Sequence, residues 1–296
     1  MKNLRAFSLV ELSIVLLIIG ILIAGISDGS RLIGVAKLNM ARTTTNSSPV
    51  SSVKNLVLWL DSTAEKSFDE IETENNGAIS VWYDSNPQTQ VRNNLTQSVA
   101  ERKPSYVTSG INSLPAVRFN NETTAAEDFM LSTLFQNINT YSTVFLVIKT
   151  PSSLATTQTI LSKVIANDTG TNLQTNIGAS AISYCDGVAA QNCYSGATSF
   201  STSTNYVISM VYIPNTSDSG MKFYKNGGTA LSSTTTDSPD TLLTETLFLG
   251  KSGISGAVQY FNGHIGELII FDRALKDEER ISIQNYLGKK WTIKIF

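Results

Sequence analysis

The chain has 296 residues, of which 42% are hydrophobic and 16% are charged, so it is long enough for one large domain or two ordinary ones. Its net charge at pH 7 is −2, and its body has no basic run beyond Lys289-Lys290, which argues against nucleic acid as a partner. Ser, Thr and Asn fill much of the polar remainder. This composition favours a β-rich extracellular protein over a helical cytosolic one.

An apolar run, FSLVELSIVLLIIGILIAGI, occupies residues 7–26 and is long enough to cross the ~30 Å hydrocarbon layer of a membrane as a helix. Lys2 and Arg5 precede it and no positive charge follows before Arg31, so the positive-inside rule keeps the N-terminus in the cytoplasm and exports the rest. A buried core helix is a poor alternative at this length. A cleaved secretory signal has only a mediocre small-x-small site, in LIAGISDGS. A plain signal anchor gives no reason for Glu11, a carboxylate that costs roughly 2.5–3.5 kcal/mol at mid-bilayer.

The stretch LRAFSLVELSIVLLIIGILIAG resembles the class III signal of type IV pilins and pseudopilins, which combines a short basic leader, a phenylalanine, a nearby glutamate and an apolar run. The resemblance implies that prepilin peptidase removes residues 1–6 by cutting between Ala6 and Phe7, and that Phe7 is then N-methylated. Ala6 stands where the family usually has glycine. The resemblance also implies that Glu11 pairs with the Phe7 amine of a neighbouring subunit, because a buried charge is tolerated when it is paired.

The same resemblance implies partners and a location. The expected partners are identical or related pilin subunits, the peptidase and, before assembly, the bacterial inner membrane. The protein would cross that membrane once, with its N-terminus in the cytoplasm, and would then enter an extracellular or periplasmic filament.

The rest of the chain divides into the end of a helix, a linker and a head. Helical spacing of apolar residues continues past the apolar run, with a weak point at Asp28-Gly29, so we expect an N-terminal hydrophobic assembly helix over residues 7–42. The polar stretch TTTNSSPVSS contains Pro49 and has no periodicity, which predicts a linker over residues 43–52. The head then spans residues 53–296.

The head consists of short strand-like segments separated by polar loops, with no amphipathic helix before its end. Lys225-Asn226-Gly227-Gly228 predicts a hairpin turn, because Asn-Gly readily takes positive φ at both central positions. The final segment, DRALKDEERISIQNYLGKKW, predicts one helix from Lys276 to about Lys289. Together these features predict a mainly β fold, a sandwich that follows the N-terminal helix and ends in a C-terminal helix. The clearest strand segments are NLVLWLDS, AISVWYD, PAVRFN, DFMLS, TVFLVIKT, TILSKV, YVISMVYIP, MKFYKNG, TLFLGKS and GHIGELIIFDR.

Three stretches of the head carry a second resemblance, to the concanavalin A-like jelly roll of the laminin-G type found in bacterial surface proteins. They are LVLWLDS, RKPSYVTSGINSLPAVRFNN and FNGHIGELIIFDRALKDEERISIQNYLGKKW, in the order in which that family has them. The resemblance covers roughly Val53 to Ile293, and its middle third matches only as a strand pattern. It implies a jelly-roll sandwich that recognises glycan or protein.

The two cysteines, Cys185 and Cys193, flank a turn-rich segment in SYCDGVAAQNCYS. In an exported protein we expect them to form a disulfide, which would stabilise the fold by about 2–3 kcal/mol through the lost entropy of the unfolded chain. A metal pair is the weaker alternative, since the only histidine, His264, is far along the chain.

The sequence does not predict an enzyme. Glycoside hydrolases on this fold need two carboxylates about 5–10 Å apart, commonly two or four residues apart on one strand. The acidic stretch FDEIETEN lacks strand alternation, and LKDEER opens the C-terminal helix, so both are interpreted as solvated charges. His264 has no Ser or Cys motif around it and is interpreted as structural or exposed. The acidic candidates are Asp69, Glu70, Glu72, Glu74, Asp277, Glu278 and Glu279.

Calcium is the one cofactor that the laminin-G resemblance leaves open. Domains of that type often hold it at the sandwich rim, and calcium takes about six to eight oxygen ligands. The sequence does not fix which oxygens converge, so we expect no cofactor and leave the metal ligands unassigned. Trp59 and Trp82 lie in strand-like apolar runs and are expected in the core rather than on a sugar-stacking surface. The candidate calcium ligands are Asp61, Asn120, Asn121, Asp128 and Asp168.

The leading hypothesis is a pilin-like or pseudopilin-like subunit of a bacterial surface or secretion filament, whose lectin-like head serves adhesion or ligand binding. It depends on the joint presence of Phe7, Glu11 and the two C-terminal sandwich motifs. One alternative is a membrane-anchored lectin-like surface protein that never polymerises. The other is a degenerate glycan-degrading enzyme.

Overall fold

A computed structural model of the chain consists of two α-helices and many β-strands within the residues that it describes. The first helix, α1, is Leu9–Asn46, and the last, α2, is Asp277–Trp291. Short 3-10 helices lie at Val50–Ser52, Glu70–Glu72 and Ala100–Arg102. The described residues are 9–121, 127–135, 142–165, 172–186, 192–212, 220–233, 245–253 and 259–296.

The strands lie between the two helices in the sequence, and every described pairing between them is antiparallel. In chain order they are β1 (Leu56–Asp61), β2 (Gly77–Ala78), β3 (Val81–Trp82), β4 (Leu95–Thr96), β5 (Ser105–Ile111), β6 (Leu114–Phe119), β7 (Met130–Phe135), β8 (Ser142–Lys149), β9 (Gln158–Ile165), β10 (Asn172–Ile177), β11 (Ala181–Asp186), β12 (Asn192–Ala197), β13 (Asn205–Tyr212), β14 (Met221–Lys225), β15 (Leu231–Ser233), β16 (Glu245–Leu249) and β17 (Gly263–Phe271).

The strands form two sheets. In the first sheet the order is β15-β14-β13-β8-β17-β6-β5-β2, and in the second it is β12-β11-β10-β9-β16-β7-β4-β3. Strand β17 is central to the first sheet. It pairs along most of its length with β8 on one side, and on the other side its start pairs with β6 and its end with β1.

Apolar side chains fill two layers, one between the sheets and one on the outer face of the first sheet. Along β8, Leu146 points between the sheets, whereas Phe145 and Val147 point to the outer face. Because both faces of β8 are buried, its sequence is nearly all apolar, as expected for a strand covered on both sides. The outer layer is closed by α2 and by the end of α1. The molecule is therefore a mainly β sandwich with a helical layer on one sheet, which confirms the fold class predicted from the sequence.

Helix α1 continues further than the sequence predicts. It shows no break at Asp28-Gly29 and runs to Asn46, beyond the expected end at residue 42. The stretch predicted as a linker, residues 43–52, is a last helical turn followed by a short 3-10 helix, and Val50 in it is completely buried. Contact with the head therefore orders residues whose composition alone predicts an irregular segment, because tertiary packing overrides local propensity.

Among the residues that the structure describes, no helix is both long enough and apolar enough to span a membrane. The span predicted over residues 7–26 begins outside the described residues and stays a prediction.

Two local predictions for the head are confirmed. Asn226 and Gly227 have φ of 50° and 72°, the pair of positive values that the Asn-Gly turn between β14 and β15 requires. The C-terminal helix begins at Asp277 and ends at Trp291, within about two residues of the predicted bounds. Its start is capped by Glu279, whose Oε2 accepts a hydrogen bond from the Lys276 backbone N–H at 3.0 Å.

Candidate functional sites

The N-terminal half of α1 presents apolar side chains around its circumference. Leu9 is 82% exposed and Leu17 is 64% exposed, and Glu11 lies in the first described turn. A helix that is apolar on every side is normally buried in a larger structure, and contiguous exposed apolar surface marks an interaction site. We call residues 9–23 the assembly surface. The predicted cleavage pair, Ala6 and Phe7, lies outside the described residues.

The last turns of α1 bind the head through polar side chains. Arg42 Nε donates a hydrogen bond to the carbonyl oxygen of Thr63 at 3.0 Å. Thr45 Oγ1 donates to Asp61 Oδ2 at 3.0 Å and lies 3.3 Å from the Tyr286 hydroxyl. The helix therefore joins both the first strand and the last helix of the head.

Behind this contact lies a completely buried ionic cluster. Lys290 Nζ is 2.7 Å from Asp61 Oδ2 and 2.8 Å from Glu267 Oε2, and none of the three side chains is accessible to solvent. The other oxygen of Asp61, Oδ1, accepts hydrogen bonds from the backbone N–H and the hydroxyl of Thr63 at 2.9 and 2.8 Å. One ammonium thus contacts two carboxylates that come from different strands, β1 and β17. We call Thr45, Asp61, Glu267, Tyr286 and Lys290 the helix–head junction.

A β-bulge directs Glu267 into this junction. The register of β17 against β8 shifts between Ile265 and Glu267, and such a shift re-aims side chains at the edge of a ladder. Gly266, the extra residue, lies under the Trp291 ring, and a Cβ at this position would be 2.5 Å from the nearest ring atom. Glu267 accepts hydrogen bonds of 2.8 Å each from Trp59 Nε1, Tyr286 OH, Trp291 Nε1 and Lys290 Nζ.

Burial dominates the electrostatics of the junction. It raises the pKa of Glu267, an effect that the charge of Lys290 opposes and the charge of Asp61 reinforces. Burial and the nearby carboxylates of Glu267 and Asp61 also raise the pKa of Tyr286 well above its usual value. Tyr286 therefore keeps its proton at neutral pH and donates it to Glu267 Oε1.

The candidate calcium ligands do not form one site in the described part of the chain. Asp61 is completely buried in the junction, where it is paired with Lys290 and is not a ligand at the sandwich rim. Asn120 and Asn121 do meet Asp128: the Asn120 backbone N–H donates to Asp128 Oδ2 at 2.8 Å, and the Asp128 backbone N–H donates to Asn121 Oδ1 at 2.7 Å. Burial raises the pKa of Asp128 to about 6. Asp168 lies outside the described residues, and among those residues no group of three His, Cys, Asp or Glu side chains is arranged to hold a metal.

The remaining candidate residues have structural partners. Trp59 and Trp82 are buried, as the sequence predicts, and Trp82 packs on Phe68 with 5.4 Å between ring centroids. In the first acidic stretch, Glu72 Oε1 accepts hydrogen bonds from the backbone N–H and the hydroxyl of Ser80.

In the second acidic stretch the carboxylates bind arginines. Both Glu279 oxygens bind the Arg273 guanidinium, at 2.6 and 2.7 Å, and Asp277 Oδ1 binds Arg280 at 3.0 Å. Two of the acidic candidates thus form ion pairs of the α2 start, so this stretch is more than the solvated charge that the sequence suggests.

Cys185 and Cys193 occupy directly opposite positions on β11 and β12. Opposite residues of an antiparallel pair have Cα atoms about 4.5–5.5 Å apart, which lies within the range that a disulfide spans. The backbone register is thus compatible with the predicted bond, which stays a prediction.

A row of polar residues lies on the outer face of the first sheet, and the sequence alone does not predict it. The strand registers place Asn205, Lys149, His264, Arg118 and Ser105 side by side on adjacent strands. Their neighbours along each strand point into the core between the sheets, so these five point away from it. Burial, together with the positive charges of Lys149 and then Arg118, lowers the pKa of His264 to about 4. We call these five residues the basic row.

The sequence contains only part of the signal for the basic row. Each of its members lies at one end of a strand-like segment, next to apolar residues. The five residues lie side by side because the sheet has the strand order β13-β8-β17-β6-β5. This order brings together strands that are far apart in the chain. His264, predicted to be structural or exposed, is partly buried at the centre of the row.

The described residues thus define a mainly β sandwich that is joined to a long N-terminal helix. Two family models match the chain. One, described as the prokaryotic N-terminal methylation motif, matches residues 1–27, and the other, of laminin G type and described as the concanavalin A-like lectin/glucanases superfamily, matches residues 133–279. The chain therefore carries a type IV pilin signal and a concanavalin A-like domain, which confirms both resemblances.

Solved structures share the sandwich at low sequence identity. The binding domain of botulinum neurotoxin DC, in complex with SialylT, is 13% identical with a TM-score of 0.53, and the match covers 79% of this chain and 52% of that one. A structure of botulinum neurotoxin type C, whose cell entry depends on interaction with two ganglioside molecules, is 13% identical with a TM-score of 0.51, and the match covers 81% and 53%. The chain spans about half the length of these two structures. A search of curated proteins found no match.

Proposed function

We propose that this protein is a pilin-like subunit of a bacterial surface or secretion filament, with a head that binds glycan. The observation that carries the proposal is the assembly surface itself: apolar side chains exposed around α1, with Glu11 in the first described turn. Lipid would cover this surface before assembly, and neighbouring helices would cover it in the filament. Such burial removes the cost of exposing so much apolar area to water.

In this proposal Glu11 sets the register between subunits. Prepilin peptidase exposes the amine of Phe7, four residues before Glu11 in the sequence, and this amine is then methylated. An ammonium of one subunit next to the Glu11 carboxylate of another makes a paired charge in an apolar environment. Such a pair is tolerated, whereas either charge alone is strongly disfavoured there.

The helix–head junction gives the filament a firmly attached head. Force applied to a ligand on the sandwich would pass through Asp61, Lys290 and Glu267 to the last turns of α1, because these groups are hydrogen-bonded to one another and buried. This arrangement suits an adhesin or a minor subunit. The subunit would cross the inner membrane with its N-terminus in the cytoplasm and then join an extracellular or periplasmic filament.

The sandwich fold supports a binding role for the head. The two botulinum neurotoxin structures above share this fold, and they concern SialylT and gangliosides. We propose glycan binding without turnover for this head. In support, Glu72 accepts hydrogen bonds from the backbone N–H and the hydroxyl of Ser80, and Asp277 and Glu279 bind arginine side chains. Asp61 and Glu267 are completely buried in the junction.

Replacing Glu11 tests the assembly role. Glu11→Ala should reduce surface filaments at least about tenfold in the native host while the protein remains in the membrane fraction, and Glu70→Ala is the matched control. Glu70 is exposed on the head, so its loss leaves the assembly surface intact. Electron microscopy of sheared filaments and immunoblots of membranes give the two readouts. Normal filaments from Glu11→Ala would contradict the proposal and favour the membrane-anchored alternative that never polymerises.

A glycan array tests the role of the head. The full chain, purified in detergent, should bind a subset of glycans and leave them intact on the array. Mass spectrometry of the glycans after incubation measures turnover. Hydrolysis that is lost on Glu70→Gln or Glu72→Gln would favour the enzyme alternative instead.

A further inference from the structure

The basic row concentrates positive charge on one face of the first sheet, and none of its side chains forms an ion pair with another described residue. Lys149 lies directly opposite His264, and His264 lies directly opposite Arg118. Opposite residues on one face have Cβ atoms about 4.5–5.5 Å apart, and like charges in such positions repel. At neutral pH the low pKa of His264 leaves it uncharged, so two cations flank a neutral imidazole.

No acidic side chain belongs to the row. Its ends are Asn205 and Ser105, and within the described residues neither Lys149 nor Arg118 makes an ion pair. Asp128 is near enough for Arg118 to lower its pKa, but burial is the larger effect on that carboxyl and raises it. Asp128 Oδ2 instead accepts the Asn120 backbone N–H. Within the described part of the chain, the cations of the row therefore have no carboxylate paired with them.

Two polar atoms in the row are buried without a hydrogen-bond partner in the described structure. They are Arg118 Nε, a donor, and Asn205 Oδ1, an acceptor. The Asn205 amide nitrogen is already used, because it donates to Asn112 Oδ1 at 2.8 Å and so holds the side chain in place. Unpaired buried polar atoms are rare in native structures, and a bound water or ion is one of the explanations for them.

The spacing of the row suits a sugar. Lys149 and Arg118 lie on strands separated by one strand, and two strand spacings amount to about 9–10 Å. A guanidinium binds the two oxygens of a carboxylate through parallel N–H donors, and an ammonium supplies a second, less directional charge. The neutral imidazole lies between the two cations, and the Asn205 oxygen lies beyond Lys149 at the end of the row, so both are placed to meet sugar hydroxyls.

We propose that the basic row is the site at which the head binds an acidic sugar, with the sugar carboxylate on Arg118 and Lys149. The inference rests on the proposed glycan-binding function and names its ligand class and its residues. His264 and Asn205 bind hydroxyl groups of the same sugar. The two cations thereby gain a negative charge that no described residue supplies through an ion pair.

The test uses the full chain in detergent and two matched pairs of probes. Sialyllactose is compared with lactose, and oligogalacturonate is compared with its neutral methyl ester. We expect the wild-type protein to prefer at least one acidic probe over its neutral counterpart by about tenfold or more in Kd. Arg118→Gln and Lys149→Met should each weaken that binding at least about tenfold, the usual size for loss of a charged hydrogen bond.

Two substitutions with the same charge change serve as controls. Arg102 and Lys66 are exposed on other parts of the head, so Arg102→Gln and Lys66→Met should leave Kd unchanged. Thermal unfolding of every variant shows that the fold is retained. Acidic probes that bind equally well to the wild-type protein and to the Arg118 and Lys149 variants would overturn the basic row as the site but leave glycan binding by the head intact. Failure of all glycans, acidic and neutral, on the wider array would overturn the proposed function as well.

Discussion

The Lys290 ammonium lies 2.7 Å from Asp61 Oδ2, and both side chains are completely buried. Asp61 is the last residue of β1 and Lys290 is in the final turn of α2, so this pair joins the two ends of the head. The same Asp61 oxygen accepts the Thr45 hydroxyl of α1. One carboxylate therefore connects the assembly helix to a sheet and to the terminal helix.

Loss of Lys290 should destabilise the protein strongly. Lys290→Met leaves Asp61 and Glu267 buried without their shared cation, and breaking such a cluster costs about 3–5 kcal/mol. Urea unfolding followed by tryptophan fluorescence measures the change, since Trp59 and Trp291 contact the cluster. Lys289→Met is the matched control, because Lys289 is exposed one position away. Equal stability of the two variants would show that the cluster is not a principal stabilising contact.

Gly266 should not tolerate a side chain. In Gly266→Ala the added Cβ would lie 2.5 Å from the Trp291 ring, and displacing a packed indole costs about 1–3 kcal/mol. Gly178→Ala provides the comparison, since its Cβ would meet no atom closer than 3.8 Å. Near-ultraviolet circular dichroism reports the environment of the indole. An alanine at 266 that changes neither stability nor this spectrum would contradict the packing described here.

Much of the fold follows from local signals in the sequence. The Asn226-Gly227 turn and the capped start of α2 are correctly predicted, because both depend on residues adjacent in the chain. The continuation of α1 to Asn46 is not, since it depends on burial of Ala41 and Val50 against strands much later in the sequence.

The candidate sites, too, are predictable from the sequence only where their residues are adjacent in the chain. Glu267 is a lone carboxylate in the apolar segment GELIIF, which signals an unusual burial but does not name Lys290 as its partner. The assembly motif is recognisable in the sequence because its residues are consecutive. The basic row is not, because its members become neighbours only through the order of the strands in the sheet.

Acid should destabilise the protein partly through His264. Burial and neighbouring cations lower its pKa to about 4 in the folded chain, against about 6.5 in an unfolded one. As pH falls from about 6.5 to about 4, the unfolded state takes up the proton first, so stability is lost over this window. His264→Asn should remove that contribution, and the free energy of unfolding of the wild-type protein should fall relative to the variant as pH falls. A difference that stays constant between pH 7 and pH 4 would contradict the burial of this side chain.

The cysteine pair gives a further prediction. If Cys185 and Cys193 are bonded across β11 and β12, Cys185→Ser should lower the free energy of unfolding by about 2–3 kcal/mol under oxidising conditions. Under reducing conditions the wild-type protein and the variant should have similar stability. Peptide mapping without reductant identifies the bond directly. Two free thiols in protein taken from the exported fraction would show that the opposite register serves strand pairing alone.

The central claim is that α1 is the assembly helix of a processed pilin-like subunit, and the mature N-terminus tests it most directly. Mass spectrometry of the protein isolated from its native host should give a chain that begins at N-methylated Phe7, without residues 1–6. That result provides the amine that the Glu11 carboxylate requires. A chain that retains Met1 through Ala6 would have no such amine, and assembly through Glu11 would be contradicted.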